Sequence, residues 1–426
     1  MALPWLGSSA ATRDARQAGA MDLTRRSFLR FLLSSPLLLS AHRVSAAECF
    51  AEDPSFPDAA RELIRDASRA INVFDFQPVA RRNLSDGHYA FLSAGVDHEV
   101  TLRANRRGFD KFGLRPRRLV DVRTIDSDLE LLGTKLSSPI LLAPIGSQGA
   151  FHAEGELPVA RAARAMDHQL ILSTGSTRAI NDVARARAAP LWYQLYTPRI
   201  RPVTSWQLDR AADAGCTAVV LTVDMTGLGG NRDRINRFHR EDNPACESCH
   251  GANPIARGFG AAARLVGIEP LEIKARCATL DWETVDRMRD ATSMKFLIKG
   301  ILTREDAELC VRHGVDGIIV SNHGGRAEDT GISTIEALPE IADAVAGRIP
   351  VLIDSGFRRG SDVFKALALG ASAVCIGRPY IWGLAAFGQE GVESVLALLR
   401  SELQTIMRRM GTPSLSAITA SHVQRL

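Results

Sequence analysis

The chain has 426 residues, 46% of them hydrophobic and 23% charged. These are ordinary globular values, and the length suits either several domains or one large α/β barrel with insertions. Its 52 basic and 48 acidic residues leave a net charge of +4, too balanced for a nucleic-acid binder, which needs a basic patch or stripe.

The N-terminus carries an address. Thr24-Arg25-Arg26-Ser27-Phe28-Leu29-Arg30 precedes an apolar run from Phe31 to Leu39 and the small residues of Val44-Ser45-Ala46-Ala47. A basic region, a short apolar region and a small-residue site predict an export signal over residues 21–47; the competing reading is an amphipathic helix. The adjacent arginines resemble the twin-arginine type, and the apolar run is too short to span a membrane. Met21 suits a start codon, because residues 1–20 add nothing the signal needs. Twin-arginine export moves proteins already folded, so it suits a periplasmic enzyme that takes up a cofactor before it leaves the cytoplasm. Cys49 follows charged Glu48 and does not read as a lipid anchor.

Residues 48–138 read as a mostly helical lead-in. From 139 to 410, short apolar runs alternate with amphipathic helical patterns. The strand candidates begin with Ile140–Ala143, Leu170–Ser173, Leu191–Gln194 and Ala218–Val223. Phe296–Lys299, Gly317–Val320, Val351–Asp354 and Ala373–Ile376 complete the set. Each is apolar throughout, as strands buried on both faces must be. Helical stretches are clearest over 156–166, 206–214, 304–312 and 362–369, with Thr303 as the N-cap of the third and Asp306 three residues on. Eight such alternations with right-handed crossovers predict an α/β fold, a (β/α)8 TIM barrel. Cys216, Cys310 and Cys375 fall in its apolar segments and read as inert core thiols. Residues 225–281, after the fourth strand, break the rhythm; a connection that long reads as a lid or inserted element.

Active residues of such barrels gather at the C-terminal ends of the strands. In order, those ends present Pro144-Ile145-Gly146, Ser173, Gln194 with Tyr196, Thr222 with Asp224, Lys299, and Ser321-Asn322-His323-Gly324-Gly325-Arg326. Asp354-Ser355-Gly356-Phe357-Arg358 and Gly377-Arg378 follow. Any one could be a satisfied polar side chain at a loop edge; their succession at eight strand ends points to chemistry. The last two ends suit a phosphate, held by backbone N–H groups and a helix N-terminus.

The segment from Ser321 to Arg326 resembles the active-site signature of the FMN-dependent 2-hydroxy acid oxidases and dehydrogenases. Ile298-Lys299-Gly300, Gln194-Leu195-Tyr196, Leu221-Thr222-Val223-Asp224 and the run from Arg359 to Leu367 resemble that family too, so the likeness covers roughly residues 75–410. It implies FMN as cofactor and oxidation of a small L-2-hydroxy acid, such as lactate, to the 2-oxo acid. His323 would be the general base and Asp224 would stabilise its imidazolium. Arg326 would grip the substrate carboxylate through two parallel hydrogen bonds, and Tyr196 would hydrogen-bond the substrate. Lys299 would face the flavin edge that gains negative charge. Ser173, Gln194, Thr222 and Ser321 would line the ring, with the backbone of Pro144, Ile145 and Gly146 beside its N5. Asp354, Ser355 and Gly356 would meet the ribityl chain, and Arg358, Gly377 and Arg378 the phosphate. The resemblance also implies a homo-oligomer, a tetramer, and an acceptor that is a quinone, a cytochrome or oxygen.

The chain departs from that pattern on the substrate side. The family's second carboxylate-binding arginine counts onto Asn231; a one-residue insertion at Gly229-Gly230 moves the role to Arg232. A tyrosine that meets the substrate becomes Phe91, with Tyr89 near but out of register. A small residue beside N5, often alanine, becomes Gly146. Cys246-Glu247-Ser248-Cys249-His250 fits the c-type haem attachment pattern, which export would permit. A disulfide, a metal site with Cys277 and a loop staple are the other readings. Against the hydroxy acid reading stand an FMN-dependent isomerase on the same barrel and a haem-bearing electron-transfer module. His323, Arg326, Asp224 and Lys299 argue for the first chemistry.

Overall fold

The computed structural model describes residues 63–196, 201–225, 232–233 and 280–426. The export signal, most of the connection 225–281 and the Cys246–His250 segment lie outside the described residues, as do Cys49 and Cys277.

The described part of the lead-in is mostly helical as far as Lys111. Helices α1 (Phe76–Asn83), α2 (Asp86–Ser93) and α3 (Val100–Arg107) are followed by a short strand β1 (Phe112–Leu114). Beyond β1 it is not helical: β2 (Leu129–Leu131) and β3 (Thr134–Leu136) pair as an antiparallel hairpin around Leu132-Gly133. Both turn residues have positive φ, which glycine takes without cost. Leu131 and Leu136 turn inward from this hairpin and join the packing inside the barrel.

All eight predicted barrel strands form. They are β4 (Ile140–Leu142), β5 (Ile171–Ser173), β6 (Leu191–Leu195), β7 (Cys216–Thr222), β8 (Lys295–Ile301), β9 (Gly317–Val320), β10 (Val351–Ile353) and β11 (Ala373–Ile376). They run parallel in the order β4-β11-β10-β9-β8-β7-β6-β5, and a parallel bridge between Leu142 and Leu170 joins the first strand to the last. Alternation of side chains explains why each run is apolar from end to end. On β7, Ala218 and Val220 face the interior with Trp192, while Val219 and Leu221 face the surrounding helices.

Those helices are α4 (Leu157–Ala165), α5 (Ile180–Arg187), α6 (Arg201–Asp213), α7 (Trp282–Asp290), α8 (Arg304–Arg312), α9 (Thr334–Val345), α10 (Gly360–Ala368) and α11 (Arg378–Met410). Thr303 caps α8 as its sequence promised, its side chain accepting from the N–H of Asp306. Helix α11 kinks at Phe387 and Gly388 and packs against α1. A last strand, β12 (Val423–Arg425), pairs antiparallel with β1, so the C-terminus joins the lead-in in a two-stranded sheet separate from the barrel sheet. Cys216, Cys310 and Cys375 are free and buried. Burial pushes the first two thiols up to about 12, which leaves them protonated and inert. Among the described residues no helix is long and apolar enough to cross a membrane.

Candidate active site

The C-terminal strand ends bring most of the predicted site residues together, with His323 at the centre. It follows β9 in a left-handed conformation, φ 59°, a geometry that costs a non-glycine residue on the order of 1–3 kcal/mol. The turn is held from several directions. The N–H of His323 donates to Ser321 Oγ at 3.0 Å, and the N–H of Gly324 donates to Ser355 Oγ at 3.0 Å. Gly325 has φ 72°, and a Cβ there would lie 2.6 Å from the backbone nitrogen of Leu102. Only glycine lets the loop pass so close to α3.

The His323 imidazole is bonded at both nitrogens. Nδ1 lies 2.8 Å from Asp224 Oδ1 and Nε2 lies 3.2 Å from the Tyr196 hydroxyl. The carboxylate can only accept, so Nδ1 carries the proton and Nε2 presents its lone pair to the mouth of the barrel. Crowding by protein lowers the basicity of His323, and the Asp224 charge opposes that only in part, so it stays below the ordinary histidine value. The ring is neutral at pH 7 and able to accept a proton. Burial pulls Asp224 upward, but the charges of His323 and Lys299 outweigh it and hold the carboxyl below the usual carboxylate range. Burial raises the Tyr196 phenol, and Asp224 adds to the effect; it remains a neutral donor.

Lys299, at the end of β8, is buried with its Nζ 2.8 Å from Ser321 Oγ, 3.4 Å from Asp354 Oδ2 and 3.7 Å from Asp224 Oδ2. Burial works against its charge, yet Asp354 and Asp224 outweigh it and keep the amine above the ordinary lysine value. Lys299 is therefore a fixed cation. Gly300 has φ 113°, and a Cβ there would lie 2.7 Å from the Asp224 Cβ; the missing side chain is what allows Asp224 to sit against β8. Across the barrel, Ser173 Oγ donates to Gln194 Oε1 at 3.0 Å, and Gln194 Nε2 donates to Thr222 Oγ1 at 3.0 Å. These buried polar groups cap β5, β6 and β7, whose spacing of about 4.8 Å strings them along roughly 10 Å. With Lys299 on β8 the row reaches about 14 Å, long enough to line the polar edge of a fused aromatic ring system.

The loops after β4 and β5 touch beside this row. The N–H of Ser147 donates to Gly175 O at 2.8 Å, and a Cβ at Gly146 would lie 2.9 Å from the same oxygen. Glu156, 1% exposed, ties the two loops. Its carboxylate accepts from the N–H groups of Thr177 (2.8 Å), Arg178 (2.9 Å) and Gln148 (3.3 Å). Burial raises this carboxyl against the lowering effect of those N–H donors. A charged residue at a helix start reads from sequence as a solvated one, so nothing marked Glu156 in advance.

The arginines are arranged less simply than their positions suggested. Arg326 uses one terminal nitrogen, Nη1, to donate to Phe91 O at 2.6 Å and Ala94 O at 3.1 Å. Its guanidinium lies 5.0 Å from the centre of the Phe91 ring. Donors remain on the same fork for a carboxylate. Burial lowers its basicity, and the nearby charges of Arg232 and Arg378 lower it further. Arg232 thus falls within electrostatic reach of both Arg326 and Tyr196. Its Nε is buried with no hydrogen-bond partner among the described residues. Phe91 stacks on Phe151 with ring centres 6.0 Å apart, whereas the Tyr89 hydroxyl accepts from Gln77, away from His323.

On the phosphate side, Ser355 takes φ 79° and donates to Asp354 Oδ1 at 2.7 Å. Arg358 stands two residues before α10 rather than at its start; its N–H donates to Asp362 and its guanidinium lies over Trp382 at 4.6 Å. Arg378 opens α11 behind Gly377, at the positive end of a helix. Its guanidinium donates to Leu92 O, Ala94 O and Gly324 O at 3.0–3.1 Å, joining the His323 loop to the end of α2.

Known proteins resemble this chain over most of its length. The sequence model described as FMN-dependent dehydrogenase matches residues 80–425. A peroxisomal (S)-2-hydroxyacid oxidase of Arabidopsis thaliana is 40% identical over 356 residues, covering 83% of this chain and 96% of that one. An L-lactate oxidase of Lysinibacillus sphaericus is 39% identical over 364 residues, covering 84% and 94%. A soluble mutant of the membrane-associated (S)-mandelate dehydrogenase of Pseudomonas putida superposes with a TM-score of 0.75 at 36% identity, covering 84% of this chain and all of that one.

Proposed function

The chain belongs to the FMN-dependent dehydrogenase family, an oxidoreductase using FMN on 2-hydroxy acids; on that premise we propose that it oxidises a small L-2-hydroxy acid such as lactate, with His323 as the base. The observation that carries the reading is the His323 imidazole, held at Nδ1 by Asp224 and presenting Nε2 beside Tyr196, with Arg326 and Arg232 nearby. Two cations select an anionic substrate and orient its carboxylate. Nε2 takes a proton from the substrate, and Asp224 stabilises the imidazolium that results. Tyr196 donates to the substrate oxygen. The substrate loses two protons and two electrons on becoming the 2-oxo acid: Nε2 takes one proton, and FMN, when bound, would accept the two electrons and the second proton. Ser173, Gln194, Thr222 and Lys299 would hold its ring, with the backbone of residues 144–146 beside it. Asp354, Ser355 and Gly356 would take its ribityl chain, and Arg358, Gly377 and the N-terminus of α11 its phosphate. Lys299 compensates the negative charge the ring gains.

The proposal extends to export through the 21–47 signal, a homo-oligomeric state, and delivery of electrons to a quinone or c-type cytochrome in preference to oxygen. Neither the site nor the relatives favour the isomerase or the haem-bearing module. The test is anaerobic mixing of purified protein with L- and D-2-hydroxy acids while flavin absorbance is followed. Bleaching by L-acids that is lost in a yellow His323→Gln variant is the expected outcome; near-normal bleaching in that variant refutes the base. Reoxidation by oxygen as fast as by quinone or cytochrome refutes the acceptor preference.

A further inference from the structure

Asn105 on α3 and Asn322 beside the catalytic histidine form a closed amide pair. Asn105 Nδ2 donates to Asn322 Oδ1 at 2.9 Å, and Asn322 Nδ2 donates to Asn105 Oδ1 at 2.8 Å. Both side chains are fully buried. The remaining capacity of Asn322, and the second acceptor site of Asn105, is spent on the loops that build the site. Asn322 Oδ1 also accepts from the N–H of Gly325 at 3.1 Å, which closes the turn on either side of His323. Its Nδ2 also donates to Ile332 O at 3.1 Å. Asn105 Oδ1 also accepts from the N–H of Thr334 at 3.4 Å. Thr334 in turn donates through Oγ1 to Asp354 O at 2.6 Å, and Asp354 is the carboxylate nearest Lys299. The next residue on α3, Arg106, donates to Gly356 O and pairs with Asp362 at 2.9 Å. A Cβ at Gly356 would collide with Asn105 O.

We infer that Asn105 is a positioning residue: through Asn322 it holds His323 in its left-handed conformation and so aims the Nε2 lone pair. The physical reason is the strain. A left-handed histidine relaxes unless its surroundings over-determine it. The hydrogen bonds local to the turn, from His323 and Gly325, fix the loop relative to itself. Gly324 is tied to Ser355 and to Arg378 of α11, and the amide pair adds the side-chain tie from the residue preceding His323 to the rigid helix α3. Asn322 alone could rotate its amide by half a turn and break the bond from Gly325. The facing Asn105 amide forbids this, because the rotated state would set N–H against N–H and oxygen against oxygen. Helix α3 thus becomes part of the catalytic apparatus while touching neither substrate nor cofactor.

The inference rests on His323 being the base, and its test is chosen to fail separately. Asn105→Ala is expected to keep FMN, its Kd within threefold of wild type by fluorescence titration. Flavin reduction by the best L-2-hydroxy acid should slow about ten- to a hundredfold, as misplacement of a reacting group on the order of 1 Å does, with little change in apparent KM. The double variant Asn105→Ala/Asn322→Ala should be no slower than the slower single variant, because the two act as one unit. Asn105→Asp supplies a signature that packing loss does not produce. As the protonated acid it can donate to Asn322 Oδ1 and accept from Nδ2, restoring the pair; ionised it cannot donate. Its rate relative to wild type should therefore climb as pH falls, while that of Asn105→Ala stays flat. A reduction rate within threefold of wild type for Asn105→Ala, additive effects in the double variant, or a flat ratio for Asn105→Asp each overturns the inference. If Asn105→Ala is too unstable to purify, the Asn105→Asp pH ratio alone decides. Failure of the base assignment would show independently, as normal reduction in His323→Gln.

Discussion

Replacing Asp224 with asparagine keeps the shape of the site and removes one charge. Its Oδ1 lies 2.8 Å from His323 Nδ1, so the neutral amide exchanges a charge-assisted bond for an ordinary one. That bond is strongest when the ring is an imidazolium, the state created as the base takes its proton. Bonds to charged groups contribute about 1.5–3 kcal/mol and neutral ones about 1. The exchange therefore loses about 0.5–2 kcal/mol and slows flavin reduction by roughly two- to thirtyfold at the pH plateau. The pH profile moves in a defined direction. Crowding lowers the affinity of His323 for a proton, and Asp224 is the main influence raising it. The base works when neutral, so activity is lost as pH falls through its pKa. Without the Asp224 charge the pKa drops further, and the acid limb of kcat/KM should move to lower pH. The variant would be slower at neutral pH yet keep its own plateau into more acid solution. Anaerobic stopped-flow reduction from pH 4.5 to 9 measures both effects, with FMN content fixed from absorbance. An acid limb that moves upward, or an unchanged plateau, would refute the electrostatic role given to Asp224.

Four further outcomes follow from other parts of the site and the barrel. Arg326→Lys should raise KM and lower kcat together, with kcat/KM down roughly ten- to a hundredfold, since an ammonium cannot copy a two-armed grip; Arg232→Ala should also weaken substrate binding, and wild-type kinetics there would return that role to another residue. Glu156→Gln puts a donor against backbone N–H groups in a dry pocket, at about 1–3 kcal/mol; unfolding temperature and FMN retention should both fall, and unchanged values in both would count against the clamp. His168 is fully buried, with Nδ1 2.7 Å from Ile140 O, and burial is the main influence lowering it to about 4. The unfolded chain takes up that proton near pH 6.5, so stability falls as pH drops from 6.5 towards 4, by about 3 kcal/mol in total. Urea unfolding of wild type against His168→Asn should show a gap that narrows on acidification, and a gap constant with pH would refute it.

The barrel was legible because strands buried on both faces leave continuous apolar runs, and each of the eight fell within a residue or two of its predicted place. The hairpin of β2 and β3 was not. Leu-Glu-Leu and Thr-Lys-Leu are too short to show a period, and only their destination inside the barrel makes Leu131 and Leu136 meaningful. In the site, His323, Asp224 and Lys299 stood at strand ends where the fold demands chemistry. Asn105 gave no such signal, because a buried asparagine on an amphipathic helix looks like an exposed one until its partner 217 residues away is known. The settings of Arg326 and Arg378 depend on carbonyls at the end of α2, which no strand-end reading could foresee.

The pairing of β1 with β12 bears on how such a protein comes into being. Phe112 pairs in register with Arg425, and β4 pairs along its length with β11. On a ribosome, an early strand must wait for a late one. The ring of strand ends around His323 draws on β4 through β11, so no nascent fragment possesses it. Closure between segments so far apart in sequence is slow and leaves strand edges open meanwhile. Capture of FMN therefore follows synthesis, and supply of the cofactor at that moment, by adding binding free energy to the closed form alone, should raise the yield of active protein more than any later addition.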